Sequence, residues 1–495
     1  MPEQSDVQLD PGRAFAFCRD LWNDSLLAEL SAFIEVPALS PAYDRDWEQR
    51  GLLDQTAADL ARWAESTPVE GLTAEVLREP GRTPVVFVDI PGTGEGTVLF
   101  YGHLDKQPGG QGWGDGLGPW KPVFDGTRLY GRGGADDGYA AYATLAAVMA
   151  VDDQGAPRPR CVGVFETAEE SGSPDLDHWL TVLAPRIGTV DLLMCLDSGA
   201  GDYARLWLVT SLRGHCGGRL DVQVLDQGAH SGDAGGVVPS SFRVLRRLLD
   251  RLEDSDTGRL LPESFNVATP PQRRAQAEQA GAVLGRRIAE RFSWHGSAGP
   301  VTEDPAELLL NRAWRPSLSV TGADGLPHVA EAGNVLRPST GVKLSLRLPP
   351  TVSSAAAVRE LQTLLEADPP YGMRVRFTPD TVLADGWNAR EMQPWLHDAL
   401  DRASRDHYDG AGLAMIGQGG TIPLMGILQR HYPDAQVLAC GVQGPGTNAH
   451  GPNESLHLPY THRLTASLAS VLPALCRQAG TDTRKRSGAG PASGS

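Results

Sequence analysis

With 495 residues the chain exceeds one ordinary core, so two or more domains are expected. Its apolar, glycine and proline usage excludes a disordered or fibrous chain and fits an α/β protein. A formal net charge of −17 argues against nucleic-acid binding and leaves acids to spare for holding metal.

The opening segment, "MPEQSDVQLD", is polar and acidic, unlike a signal peptide. Cys18, Cys161, Cys195, Cys216, Cys440 and Cys476 are scattered with no CxxC pair. That predicts buried, reduced thiols in a cytoplasmic protein rather than a disulfide framework. From about residue 83, short apolar strands alternate with helical stretches. "PVVFVDI" and "TVLFYG" read as strands, "DGYAAYATLAAVMAVDD" as an alanine-rich helix and "CVGVFE" as a strand. "SPDLDHWLTVLAPRI" follows as a helix and "VDLLMCLD" as a buried strand. Continuous apolar strands alternating with helices predict an α/β fold with a doubly wound, mostly parallel sheet. In such sheets ligands gather at the carboxyl ends of the strands. The longest apolar run, 139–151, is too short to cross a bilayer.

Beyond residue 212 the texture changes. "GGRLDVQVLD", "PSLSVTGA", "GVKLSLRLPP" and "MRVRFTP" alternate apolar with polar residues, as strands with one wet face do. The helical stretches "SSFRVLRRLLDRLED" and "RRAQAEQAGAVLGRRIAERF" accompany them. Past about residue 385 the α/β texture returns with "REMQPWLHDALDRAS", the glycine-rich "IGQGGTIP" and "AQVLACG". The reading is a catalytic α/β domain, 1–212 plus 383–480, with an α+β domain of 213–382 inserted and a disordered tail of 481–495.

Five places end a strand or open a turn with metal-capable side chains: His103 and Asp105, Asp136 and Asp137, Glu169 and Glu170, Asp197, and His450. Each alone is ordinary turn chemistry. Several at successive strand ends of one sheet point to a catalytic site of imidazole and carboxylate, suited to Zn²⁺, Mn²⁺ or Co²⁺. No GxSxG, GxGxxG, Walker A or HExxH motif suggests another chemistry.

In their order, "GHLDKQP", "LYGRGGADDG", "ETAEESGS", "CLDSG" and "NAHGPNESL" resemble the two-metal metallopeptidase family of carnosinase, cytosolic non-specific dipeptidase, aminoacylase-1 and carboxypeptidase G. The resemblance implies two divalent ions per chain, Zn²⁺ first among them. His103, Asp136 and Asp197 would hold one ion, and Asp136, Glu170 and His450 the other, with Asp136 bridging. Asp105 would orient the His103 imidazole. A water held between the ions would be the nucleophile and Glu169 the general base. His230, in "GAHSGDAGG", would reach the site of a homodimer partner, and the inserted domain would serve as lid and dimerisation domain. Arg347 would bind the substrate carboxylate, although by alternation it shares a face with Ser345 and Lys343 and also reads as a plain solvent-facing residue. Asn334 and the turn of Gly419, Gly420 and Thr421 are further substrate-contact candidates.

The implied activity is hydrolysis of the amide bond of dipeptides or small peptides, with N-acyl-amino-acid deacylation as the alternative and a non-catalytic metal-binding homologue as the rival. Aspartate at 197 accompanies dipeptidases and aminopeptidases in the family. One departure stands out: many relatives read DDKG where this chain reads "DDGYA", so a lysine is missing beside the metal ligands.

Overall fold

The computed structural model describes residues 7–420 and 423–488, with side chains up to 481. The chain divides into two compact units. The first is Met1–Val209 with Ala389–Ile416 and Ile427–Ser495; the second is Thr210–Asn388 with Gly417–Gly426.

The first unit is built on a six-stranded sheet, ordered Thr73–Leu77, Val85–Ile90, Arg160–Glu166, Thr97–His103, Leu192–Cys195 and Gln436–Ala439. The last four run parallel; the first two join antiparallel at one edge. The mostly parallel α/β sheet expected from the sequence is therefore observed. Residues 192–195 are all buried and Arg160–Glu166 is buried beyond its first residue, which is why these strands read as continuous apolar runs.

From Thr97–His103 the chain crosses to Arg160–Glu166 through the helix Tyr139–Asp152, moving one way across the sheet. It then returns through the helix Leu176–Ile187 to Leu192–Cys195, on the other side of Thr97–His103. Right-handed crossovers in opposite directions put these helices on opposite faces of the sheet. The order reverses between His103 and Cys195, and a crevice opens at such a switch point. Every residue of 139–151 is buried, so this alanine-rich helix is apolar on all sides. It packs with Pro11–Leu21 and with the closing helix Leu458–Gly488. That closing helix carries regular backbone into the tail expected to be disordered from 481; residues 489–495 lie outside the described residues.

The second unit carries an antiparallel four-stranded sheet, ordered Ser317–Asp324, Ser339–Leu348, Gly214–Gln223 and Arg374–Pro379. Leu344, Leu346 and Leu348 alternate with Lys343, Ser345 and Arg347, and the leucines join Cys216, Leu220 and Val222 in a buried cluster. The helices Ser241–Leu249 and Ser354–Glu366 cover that face with Val244, Leu245, Leu248, Val358, Leu361 and Leu365. The stripe on Ser241–Leu249 thus packs on its own sheet, with Phe242 left exposed. The long helix read over "RRAQAEQAGAVLGRRIAERF" breaks into Pro271–Leu284 and Arg287–Glu290 at Gly285, whose φ of 53° ends a helix without the cost a side chain would add.

Candidate metal centre

The parallel strands of the first unit deliver their polar residues at one end. His103 is the last residue of its strand, and Asp197 lies two residues beyond Cys195. Glu169 and Glu170 open a short 3-10 turn just past Glu166. Asp136 sits in the loop before the buried helix, joined to Asp137 by a cis peptide bond.

His103 is 1% exposed. Its Nδ1 lies 3.2 Å from the Asp105 carbonyl oxygen and 3.5 Å from Asp105 Oδ1. Both partners can only accept, so Nδ1 carries the proton and Nε2 turns to the acids. Nε2 is 3.6 Å from Asp136 Oδ1 and 3.9 Å from Asp197 Oδ2, buried and without a hydrogen-bond partner among the described residues. Asp136 turns its other oxygen to His450, 2.9 Å from Nε2, and Glu170 Oε1 lies 3.3 Å from the same nitrogen. Two groups of donor atoms, His103–Glu169–Asp197 and Asp136–Glu170–His450, each fall within 4.8 Å. The second matches an expected ligand set. The first holds Glu169 in the place assigned to Asp136, whose Oδ1 stands beside His103 as a bridging carboxylate would. An orphaned buried imidazole nitrogen among carboxylates fits divalent metal.

Asp105 divides its carboxylate between the two glutamates. Oδ1 accepts from the Glu169 amide at 3.1 Å and Oδ2 from the Glu170 amide at 3.0 Å. The residue that accepts from His103 thereby also fixes the turn that presents both acids.

Several residues that sequence reasoning passed over complete the frame. Gln443 Nε2 donates to Asp136 Oδ1 at 2.9 Å and to Asp197 Oδ1 at 3.2 Å. The Gly441 backbone makes this possible by lying against the Leu196 and Ser198 carbonyls, where a side chain would clash. Gln107 Nε2 donates to Glu170 Oε2 at 2.6 Å. Glu166, beside His103 in the parallel register, accepts from Tyr101 at 2.5 Å and Ser173 at 2.7 Å. The His450 loop holds Asn448, His450 and Asn453 at positive φ, which costs about 1–2 kcal/mol for a side chain such as histidine. Arg132 offsets this by donating to the His450 and Gly451 carbonyls at 3.0 Å while pairing with buried Glu454 at 2.5 Å.

Without a cation the imidazoles balance the acids. Burial opposes charge on His103, but Asp105 and Asp136 outweigh it and hold its pKa well above the ordinary range. Hydrogen bonds to Asp136 and Glu170 raise His450 to about 11. Burial, then the Asp136 charge, pushes Asp197 up to about 7, and burial with Asp197 pushes Glu169 well up.

The substrate-contact candidates lie in the second unit. His230 ends a two-residue strand opposite Val335, and Ser231 donates its amide to the Asn334 carbonyl at 3.0 Å, so His230 and Asn334 become neighbours despite their separation in sequence. Both are exposed. Arg347 is half-buried, directly across from His215, with Ser345 bonded to His215 Nε2 at 3.2 Å. Gly420 is exposed; Thr421 lies outside the described residues. No helix among the described residues is long and apolar enough to cross a membrane.

A mostly parallel sheet with acids and imidazoles gathered at its switch point is the frame of a metallopeptidase. The chain belongs to Peptidase family M20/M25/M40, which residues 99–474 match. It is 28% identical to the cysteinylglycine-S-conjugate dipeptidase of Corynebacterium striatum over 412 residues, 81% of this chain and 86% of that one. To the Beta-Ala-His dipeptidase of Mus musculus it is 26% identical, covering 73% of each. The solved di-peptidase Dug1p of Saccharomyces cerevisiae shares the fold with a TM-score of 0.71 at 22% identity, covering 95% of this chain and 99% of that one. The chain is a metallopeptidase.

Proposed function

We propose that this peptidase cleaves the amide bond of dipeptides or similarly small peptides with two divalent ions, Zn²⁺ first among them, at one site. The observation that carries the reading is the pair of donor groups at the strand ends with Glu169 among them. Relatives named for cysteinylglycine conjugates and Beta-Ala-His support a dipeptide as the substrate class.

When bound, the ions would supply Lewis acidity, lowering the pKa of a water and polarising the scissile carbonyl. His103, Asp136 and Asp197 would hold one ion, and Asp136, Glu170 and His450 the other. Glu169 takes the proton of the attacking water and hands it to the leaving amine. In the metal-free chain burial, with the Asp197 charge, raises its affinity for a proton. Asp105 keeps His103 in the Nδ1–H tautomer and holds the glutamate turn.

Arg347 pairs with the substrate's free carboxylate, for which a guanidinium fork is suited. His230, delivered by the partner in a homodimer, stabilises the developing oxyanion; Asn334, Gly420 and Thr421 line the substrate path. The catalytic domain comprises 1–212 and 383–480, the lid and dimerisation domain 213–382, and the protein works in the cytoplasm.

The test is hydrolysis of a dipeptide and N-acyl-amino-acid panel with added Zn²⁺, Mn²⁺ or Co²⁺, read by mass spectrometry. Cleavage of dipeptides is expected. Turnover confined to acyl-amino acids assigns the deacylase chemistry instead, and metal uptake without turnover of either class marks a non-catalytic homologue.

A further inference from the structure

Lys106 follows Asp105 in the turn that carries His103, Asp105 and Gln107, and it is fully buried. Its amino group crosses to the end of the helix Leu27–Glu35. There Nζ donates to the carbonyl oxygens of Phe33 at 2.5 Å and Val36 at 2.7 Å. The Phe33 carbonyl also accepts from the Val36 amide at 3.2 Å and the Val36 carbonyl from the Ala38 amide at 2.9 Å, so the amine takes a second lone pair on each oxygen where the helix ends. Nζ also stands 3.9 Å above the Phe33 ring. Burial pushes Lys106 well below the usual lysine range against the pull of Glu454. Two hydrogen bonds need only two N–H groups, and both protonation states carry them.

The rest of the residue is held as firmly. Its carbonyl accepts from the Ser40 amide at 3.0 Å, and Ser40 Oγ meets Ser171 Oγ at 2.5 Å, next to Glu170. The lysine stem lies where a Cβ on Gly133 would stand, within 2.9 Å of that point. Gly133 leads into the Asp136 loop and donates its amide to Glu454 at 2.9 Å. The side chain thus packs against the segment that leads to Asp136, while the backbone carbonyl of the same residue reaches the turn of Glu170 through Ser40 and Ser171.

Position 138 is closed to a side chain. A Cβ on Gly138 would stand 2.2 Å from the Phe33 ring. Phe33 fills that space, and Lys106 reaches the same ring from its own turn.

We propose that Lys106 is a positioning residue that ties the ligand-bearing turns to the end of helix Leu27–Glu35, and that it thereby sets metal affinity. The inference rests on the two-metal reading. Lys106→Met keeps the stem and removes both donors. Bracing groups around metal ligands typically change affinity by ~10–100-fold, so loss of that order is expected in chelator competition, with an altered visible spectrum of the Co²⁺-loaded protein. A folded Lys106→Met protein with unchanged affinity and spectrum overturns the proposal, even if it melts earlier. Should Lys106→Met fail to fold, Lys106→Leu removes the same two donors with a shorter, branched stem; wild-type affinity and spectrum there overturn it equally. Wild-type protein that takes up no metal overturns the two-metal reading and this inference with it, whereas two ions in the wild type and no change in the variant overturn this inference alone.

Discussion

Glu169 and Glu170 are chain neighbours, yet one carboxylate, Asp105, accepts from both of their amides and so sets how each projects. Their substitution should separate their tasks. Glu169→Gln is expected to keep its metal and lose ~10²–10⁴-fold in kcat, because an amide cannot shuttle the proton. Glu170→Gln is expected instead to weaken metal binding, read by elemental analysis after dialysis. Near-full turnover of metal-loaded Glu169→Gln would remove the base assignment. The imidazoles give a pH prediction. His450 carries its proton until about pH 11 in the metal-free chain, and a ligand nitrogen must lose it. Metal uptake at pH 7 should therefore release protons, and affinity should rise with pH; calorimetry in buffers of different ionisation enthalpy measures this. The acids and histidines were legible because each sits in a short motif at a strand end or in a glycine-bearing loop. Gln443, Gln107, Glu166 and Arg132 were not: amides and lone arginines have no ligand spacing, and only the folded chain brings Gln443 to Asp136 and Asp197.

Among the elements, the Arg132–Glu454 pair ties the glycine-rich loop ahead of Asp136 to the loop of His450. Both side chains are essentially closed to solvent, so removing one leaves the other uncompensated. Arg132→Met should destabilise by about 3–5 kcal/mol and, on the two-metal proposal, release first the ion that His450 would hold. Thermal melts at fixed metal concentration check the first part, and titration with chelator the second. The strands were readable from periodicity because buried parallel strands and half-wet antiparallel strands leave different patterns. The helix Pro11–Leu21 escaped notice because it buries only Ala14 and Cys18, too thin a stripe to stand out. Leu52–Ser66 hides its face in alanines for a similar reason: Ala57, Ala61 and Ala64 sit beside Leu53 and Leu60.

For the whole molecule the assembly is the open proposal. The apolar stripe of Ser241–Leu249 is used within its own unit, and Phe242 at 45% exposure is what that helix leaves for a partner. Catalysis across a dimer is tested by mixing His230→Ala chains with Glu169→Gln chains, each nearly inactive alone. A mixed dimer would own one site with an intact base and an intact histidine, so activity should partly return. Verified subunit exchange without activity, or a monomer in solution, removes the proposal.

All six cysteines are buried. Burial raises Cys18, Cys216 and Cys476 to about 12, and Cys161, Cys195 and Cys440 higher still. Folded protein should react slowly with a thiol-specific dye and take up six equivalents once denatured; fast labelling of the native chain would contradict this. The molecule is therefore a quiet background for bioconjugation: a cysteine introduced on the surface would be the one handle that answers. Two populations carrying different fluorophores could then report subunit exchange by energy transfer without any native thiol being replaced.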